Sequence, residues 1–228
     1  MGESRLQDAT IRVKDSTMRK WLRRWLVTYY DELERATGFP ESLLDVGCGA
    51  DSPVRHFRRR IPRLVGVDGF AASIEASRAK GIHDDYICME LRCIDSVFPE
   101  RSFDCVLASD VIEHFPKAQA MGLIRKMENI AARTTVIFTP NGFLPQGEHG
   151  GNTLQRHQSG WSVDDMQALG YTVIGINGWK PLLGEFALPR WRPAALWRIV
   201  SRLTQPLVRA HPRQAFQLLC IKNADKKA

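Results

Sequence analysis

Residues 43–53, with the sequence LLDVGCGADSP, carry the strongest structural signal in the chain. An apolar strand pattern leads into a turn that contains Gly47 and Gly49, and glycines let a backbone turn tightly against a ligand. Asp51 or Ser52 can cap a helix that follows this turn. The stretch therefore predicts a strand, a ligand-binding turn and a helix N-terminus that faces an anionic group.

Short apolar runs and helical patterns alternate along the rest of the chain. Strands are predicted where the apolar residues are continuous, at 43–47, 63–68, 85–90, 103–109, 134–139, 171–176 and 214–222. Helices are predicted at 53–60, 70–80, 117–132 and 162–169. Such alternation is typical of a parallel sheet with helices on both faces. We therefore predict an α/β fold with a doubly wound, mostly parallel, seven-stranded sheet.

The whole chain, 1–228, is predicted to form one domain with three additions to the sheet. An apolar stripe at helical spacing over residues 16–37 predicts an amphipathic N-terminal helix. A long polar loop spans 141–160. Before the last strand, residues 177–213 form an insertion with a basic amphipathic helix that we expect to be bent or broken at Pro206.

The composition is that of an ordinary globular protein, with 44% hydrophobic and 25% charged residues in a chain of 228. No uncharged stretch reaches the roughly 18 apolar residues that a membrane-spanning helix needs. The N-terminus lacks the apolar core of a signal peptide, so we expect a cytoplasmic location. The five cysteines form no CxxC pair, which favours reduced thiols over a disulfide framework or a zinc site.

The net charge of +7 is unevenly distributed. Residues 186–224 contain six arginines, one lysine and no acidic residue. This asymmetry can mark a surface for phosphates, anionic lipid or an acidic substrate, and a solvated basic face is the alternative. Nucleic-acid binding and peripheral membrane contact are both possible but not favoured.

The next strand points to an adenosine cofactor. Asp68 ends the run LVGVDG at 64–69, where a carboxylate can accept hydrogen bonds from both ribose hydroxyls. Phe70 offers an apolar wall for the adenine ring. A dinucleotide fingerprint fails because Ser52 stands where the last glycine of GxGxxG belongs, and the Walker pattern is absent. The sequence thus favours an adenosine cofactor without a pyrophosphate.

Five motifs follow one another over residues 42–142: LLDVGCG, LVGVDGF, YICMEL, SFDCVLASDVIEHF and TTVIFTPNGF. In this order they resemble the class I S-adenosylmethionine-dependent methyltransferases of the small-molecule type. The resemblance implies that residues 42–142 form a core that binds S-adenosylmethionine. By position, it implies as cofactor-binding residues Asp45, Gly47, Gly49, Asp68, Glu90, Leu91, Ser109 and Asp110.

In this resemblance, Asp68 binds the ribose and the glycine-rich turn holds the methionine part. Glu90 and Leu91 lie near the adenine, while Ser109 and Asp110 border the methionine part. The sequence departs from the family pattern at the third motif glycine, which is Asp here, and at the adenine-side acid, which is Glu rather than Asp.

Candidate residues for the acceptor side follow the fourth and fifth strands. His114 is a candidate general base, because histidine ordinarily titrates near neutral pH; a structural role is its alternative. The loop at 141–160 leaves the carboxyl end of the sheet, where ligands bind in such folds. Its substrate-side candidates are Asn141, Glu148, His149, Asn152, Gln155 and His157. We predict no metal site, because the spacing of Glu148, His149 and His157 matches no firm ligand pattern.

The function predicted from these features is methyl transfer from S-adenosylmethionine to an oxygen or nitrogen of a small molecule or glycan. An RNA methyltransferase that uses the basic C-terminal segment is an alternative. A third possibility is a non-catalytic protein that binds S-adenosylmethionine or a membrane surface. The acceptor itself has no signature in the sequence, and neither has the oligomeric state.

Overall fold

The computed structural model describes residues 28–147, 153–184 and 188–224. It contains a seven-stranded sheet in the order β3-β2-β1-β4-β5-β7-β6. The strands are β1 Ser42–Val46, β2 Arg63–Asp68, β3 Asp85–Cys88, β4 Phe103–Ser109, β5 Ala131–Pro140, β6 Thr172–Trp179 and β7 Ala215–Asn223. The pairs among β1 to β5 are parallel, and β7 is antiparallel to both β5 and β6. The predicted doubly wound, mostly parallel sheet is therefore confirmed.

Five helices flank the sheet in the described residues. They are α1 Tyr29–Thr37, α2 Ala71–Ala79, α3 Lys117–Ile130, α4 Val163–Ala168 and α5 Ala194–Ala210. The predicted helix at 53–60 is instead two 3₁₀ turns, Pro53–His56 and Arg58–Arg60. Ser52 caps the first of them by accepting a hydrogen bond from the Val54 N–H.

The predicted helix over 16–37 does not continue through Thr28, and its part from Tyr29 to Thr37 is observed as α1. Thr28 has an extended backbone, and α1 begins only after it. The Asp31 carboxylate accepts from the Thr28 N–H at 2.7 Å, while the Thr28 hydroxyl accepts from the Asp31 N–H at 3.3 Å. This reciprocal capping box sets the start of the helix. Residues 16–27 lie outside the described part of the chain.

The core occupies both faces of the sheet, because successive residues of a strand point to opposite sides. On β1, Leu43 joins an apolar cluster with Leu33 of α1. Its neighbour Leu44 joins another cluster with Leu123 and Ile124 of α3. All five side chains are buried. Burial on both faces explains why the parallel strands are continuously apolar in the sequence.

Helix α5 lies in the predicted insertion and packs against β6. Its backbone comes so close that a Cβ atom at Gly175 would clash with the Val208 carbonyl. The helix continues through Pro206, so the predicted break is wrong; the burial of Ser201 and Val208 holds both halves against the sheet. No helix in the described residues is long and apolar enough to cross a membrane.

The close approach of α5 to β6 predicts a stability effect. Gly175→Ala should lower the free energy of unfolding by about 1–3 kcal/mol, because the added methyl group meets backbone that has to move. Gly122→Ala is the matched control, since Gly122 lies in α3 with open space around its Cβ position. The control should raise stability by about 0.5–1 kcal/mol through helix propensity. Chemical denaturation of both variants tests this; equal stabilities would contradict the packing described.

Candidate functional site

The site lies where the order of the strands reverses, between β1 and β4. The carboxyl ends of parallel strands meet there, and open α/β sheets bind ligands at such a point. The turn after β1 is held by two hydrogen bonds from the Gly47 and Cys48 N–H groups to the Val67 carbonyl, at 2.7 and 3.0 Å. Gly47 has φ +70°, and a Cβ atom there would lie 2.5 Å from a methyl group of Val111. Only glycine fits this position.

Asp68 connects the turn after β1 to the turn after β2. Its Oδ2 accepts a hydrogen bond from the Gly49 N–H at 2.9 Å, and its Oδ1 accepts from the Phe70 N–H at 2.8 Å. A carboxylate oxygen can accept two hydrogen bonds, so both oxygens retain capacity for a ligand. Burial raises the pKa of Asp68, and the two backbone N–H donors oppose that shift.

A cavity of about 550 Å³ opens in front of Asp68. A volume of this size is within the ordinary range of small-molecule sites. Among the residues predicted for the site, those that line this cavity are Gly47, Asp68, Glu90, Leu91, Asp110 and His114. Phe70 is not among the lining residues and lies at the start of α2, so its role as an adenine wall stays a prediction.

Glu90 lies exposed at the edge of this larger cavity. Its Oε1 accepts a hydrogen bond from the Arg92 Nε at 3.1 Å, and Arg92 also lines the cavity. The hydrogen bond from Arg92 lowers the pKa of Glu90. The carboxylate is therefore ionised at neutral pH and can accept further hydrogen bonds from a ligand.

A smaller cavity of about 300 Å³ lies on the other side of the glycine-rich turn. From the predicted set it is lined by Asp45, Gly47, Gly49, Ser109 and Asp110. The two cavities share Gly47, Asp110 and Gln155, so they meet around these residues. Sequence reasoning missed Tyr29, Tyr30, Arg55 and His56, which also line the smaller cavity. Tyr29 belongs to the apolar stripe of the N-terminal segment, and that pattern gave no sign of a site.

Asp45 is buried beneath the glycine-rich turn. Its Oδ2 accepts a hydrogen bond from the Ser52 hydroxyl at 2.5 Å. The same oxygen forms a second hydrogen bond, of 2.8 Å, with Nε2 of His83. Ser52 in turn caps the following 3₁₀ turn. The carboxylate therefore supports the turn from below, while part of the side chain lines the smaller cavity.

Asp110 lies directly after β4, with its backbone in the left-handed region at φ +53°. Its N–H donates to the Phe138 carbonyl at 2.8 Å, and its Oδ1 accepts from Nε2 of Gln217 at 3.1 Å. Non-glycine residues adopt this conformation rarely, and functional sites are enriched in them. The residue is exposed in the cavities, and desolvation of its carboxyl group by neighbouring protein atoms raises its pKa to about 7.

Three side chains with metal-binding atoms meet beside the larger cavity: Glu113, His114 and His157. One donor atom from each lies within 4.8 Å of the other two. The two imidazole rings are nearly perpendicular, with centroids 4.9 Å apart. Glu113 is fully buried, and its Oε2 accepts a hydrogen bond from the Thr139 hydroxyl at 3.0 Å.

The ionisation of this cluster differs from what the sequence suggested. Burial lowers the pKa of His114 to about 4, and the neighbouring His157 adds to this effect. The expectation that His114 titrates near neutral pH is therefore wrong, and its ring is neutral there. Burial also lowers the pKa of His157 and raises the pKa of Glu113 well above its usual value.

The loop after β5 contributes to the site only in part. Asn141 was predicted on the substrate side, but its Nδ2 donates to the carbonyl oxygens of Pro212, Arg213 and Ala215. It holds the chain entering β7, so its predicted substrate role is wrong. The predicted substrate residue His149, with Glu148 and Asn152, lies outside the described residues. Gln155 lines both cavities.

Comparison with known sequences supports the cofactor-binding half of this description. Residues 44–134 match the family model of a methyltransferase domain. The ubiquinone biosynthesis O-methyltransferase of Rhodopseudomonas palustris is 31% identical over 106 residues, which cover 45% of this chain and 37% of that protein. Its counterpart in Bradyrhizobium is 36% identical over 74 residues, covering 32% and 29%. The match thus spans only about a third of the length of these relatives.

Solved structures share the fold over most of the chain. A SAM-dependent methyltransferase from Archaeoglobus fulgidus aligns with a TM-score of 0.55 at 15% identity, covering 85% of this chain and 92% of that one. The plantazolicin methyltransferase BamL, solved with S-adenosylhomocysteine, aligns with a TM-score of 0.50 at 14% identity, covering 98% and 91%. Because the sequence identities are only 14–15%, these alignments show a similar fold and no more.

The matched residues include the glycine-rich turn after β1 and the acid after β2. The predicted family is therefore supported over residues 44–134, which match the methyltransferase-domain model, and the similarity in fold extends over most of the chain.

Proposed function

We propose that this protein transfers a methyl group from S-adenosylmethionine to a hydroxyl oxygen of a small molecule. The observation that carries the proposal is the pair of cavities that meet at Gly47, with the carboxylate of Asp68 on one side of the turn. An elongated ligand with a nucleoside at one end and an amino acid at the other suits two such compartments.

The cofactor would lie across the glycine-rich turn. Asp68 would accept hydrogen bonds from the ribose, since both of its oxygens have a remaining acceptor position. Glu90 and Leu91 would border the adenine in the larger cavity. Gly49 has open space at its Cβ position, so the backbone there leaves room for the methionine part.

Alignment is the main task of the protein in this reaction. S-adenosylmethionine supplies a methyl group that its sulfonium already activates. The protein needs to hold the acceptor oxygen about 3–3.5 Å from that carbon, in line with the bond that breaks. His114 and Gln158 line the larger cavity, and we take them as the candidate acceptor side. His114 is neutral at physiological pH, so its ring offers a lone pair there.

The choice of oxygen over nitrogen rests on the sequence relatives. Those reported above are named ubiquinone biosynthesis O-methyltransferases. Because the match leaves most of those proteins uncovered, the acceptor of this chain is not carried over from them. Acceptor specificity in our proposal comes from this chain's own loop after β5, whose residues Gln155 and Gln158 line the larger cavity.

The structure supports the alternative function, an RNA methyltransferase, less than the sequence does. Of the basic residues in the C-terminal segment, Arg209 forms a double hydrogen bond with the buried Glu32, at 3.0 and 3.1 Å. Arg213 pairs with Asp164. Between the arginines of α5, the exposed side chains are apolar: Leu196, Ile199, Leu203 and Leu207. An interrupted basic surface of this kind fits phosphates poorly, so we favour the small-molecule acceptor.

The role of Asp68 can be tested by the affinity for S-adenosylhomocysteine. We expect Asp68→Asn to weaken binding about 10- to 100-fold, because hydrogen bonds to a charged group contribute about 1.5–3 kcal/mol. Isothermal titration calorimetry measures the effect. Asp95→Asn is the matched control, since Asp95 is an exposed carboxylate that pairs with Lys126 away from both cavities.

The control should bind like the unmodified protein. Circular dichroism of Asp68→Asn has to match that of the unmodified protein, because Asp68 also joins two turns. Unchanged affinity in a folded Asp68→Asn protein would contradict the proposed cofactor position.

The acceptor atom can be tested with matched pairs of small molecules that carry either a hydroxyl or a primary amine on the same scaffold. We expect release of S-adenosylhomocysteine at least about tenfold faster with the hydroxyl member than with the amine, because orientation in the site favours one geometry. A coupled assay for S-adenosylhomocysteine measures both rates. Equal rates, or faster transfer to the amine, would overturn the oxygen assignment.

A further inference from the structure

The cluster of Glu113, His114 and His157 has a chemistry that cofactor binding does not use. We propose that these three residues bind one divalent transition-metal ion at the acceptor end of the larger cavity. The proposal deepens the proposed function and rests on it for the role of the ion, because His114 lines the same cavity as the cofactor-side residues. It also departs from the sequence, where we expected no metal site.

The three donor atoms are close enough to share one ion. They lie within 4.8 Å of one another, whereas ligands about 2.0–2.2 Å from a common ion are separated by roughly 3–4 Å. Small side-chain adjustments would close that difference. Two imidazoles and one carboxylate form a set that leaves further coordination positions open, as catalytic metal sites require.

Both histidines are already held in the form that binds metals. The Nδ1–H of His157 donates to the Leu144 carbonyl at 2.7 Å, which leaves the lone pair on Nε2. Nδ1 of His114 makes a longer contact of 3.4 Å with the Arg156 carbonyl. Metal-binding histidines typically donate their other ring N–H to a carbonyl or carboxylate, and this fixes the tautomer and the orientation of the ring.

A second observation that indicates a bound cation is a buried carboxylate oxygen of Glu113. Its Oε2 accepts from the Thr139 hydroxyl, but its Oε1 is buried without any hydrogen-bond partner, the one such side-chain atom in the described residues. Burying a carboxylate oxygen without a partner is costly. The carboxyl group of Asp110 lies within hydrogen-bond reach of the Glu113 carboxyl group when one of the two is protonated, and ionisation of both places two negative charges in the same region. A divalent cation would supply the missing partner and balance this charge.

The ligand types point to the class of ion. Imidazole nitrogens favour zinc, iron and nickel over magnesium and calcium, which prefer all-oxygen sites. In methyl transfer, such an ion would bind the acceptor hydroxyl and lower its pKa, as metals do for bound water. The O–H proton would pass to water, the oxygen would attack the methyl carbon, and the C–S bond electrons would return to sulfur. No oxidant or reductant is needed.

Metal binding can be measured without any acceptor. Protein freed of metal with a chelator would be titrated with Co²⁺ and followed by visible absorption, with Zn²⁺ and Mg²⁺ compared by calorimetry. We expect one Co²⁺ per chain, tighter binding of Zn²⁺ than of Mg²⁺, and an affinity at least about 100-fold lower in His157→Ala. Thr139→Val should weaken binding about 10- to 100-fold, because it removes the support of Glu113.

The matched control is His211→Ala, because His211 is exposed at the end of α5, away from the cluster. It should bind Co²⁺ like the unmodified protein. Binding of S-adenosylhomocysteine, measured without metal, reports whether each variant is folded. No Co²⁺ uptake by the unmodified protein, or equal uptake by His157→Ala, would overturn the metal site. Failure of S-adenosylhomocysteine binding would instead refute the proposed function, and the two results are independent.

Discussion

The carboxylate of Asp68 holds together the two turns on which the cofactor site depends. It accepts a hydrogen bond from the Gly49 N–H in the turn after β1 and another from the Phe70 N–H in the turn after β2. Parallel strands bring these turns to one edge of the sheet. The Asp68 side chain adds to the backbone hydrogen bonds from Gly47 and Cys48 to Val67, which also hold the first turn. The left-handed backbone of Gly47, packed against Val111, then sets where the two cavities meet.

A second pair of acids lies beside the larger cavity, and one of them, Glu113, is buried. Asp110 and Glu113 follow β4 within one short segment, and burial raises the pKa of both. Unpaired charge in such surroundings is costly, and sites that retain it generally use it. The loop after β5 covers this segment, because the Gln158 and Ser159 N–H groups donate to the Glu113 carbonyl at 2.8 and 3.1 Å. The acceptor side is thus built by contacts between distant parts of the chain.

The sequence predicted the sheet better than the site. The strands Arg63–Asp68 and Phe103–Ser109 have the predicted bounds, because burial on both faces makes them continuously apolar. The residues contributed by strand ends, such as Asp68 and Asp110, were found because their place follows from the strands. The first residue of a helix was harder to predict. The apolar pattern of the sequence continues past Thr28, but the capping box at Thr28 makes α1 begin there.

The cluster beside the cavity could not be found from the sequence. His157 reaches Glu113 and His114 through a loop whose path has no periodic pattern, so residue spacing carries no information about their distance. The prediction for Phe70 concerned its side chain as a wall for the adenine ring. The residue follows Asp68 in the chain, but its backbone leads directly into α2. Asn141 failed because three carbonyl groups entering β7 occupy its amide. In all three cases, tertiary contacts determine where the side chains lie and what they contact.

The central claim is that a nucleoside cofactor spans the two cavities across the glycine-rich turn. A crystal structure of the protein with S-adenosylhomocysteine tests it most directly. The account predicts ribose hydroxyls within hydrogen-bond distance of Asp68 and the amino-acid part between Gly47 and Ser109. Density for the nucleoside anywhere else, or a ribose that leaves the Asp68 carboxylate free, would contradict it.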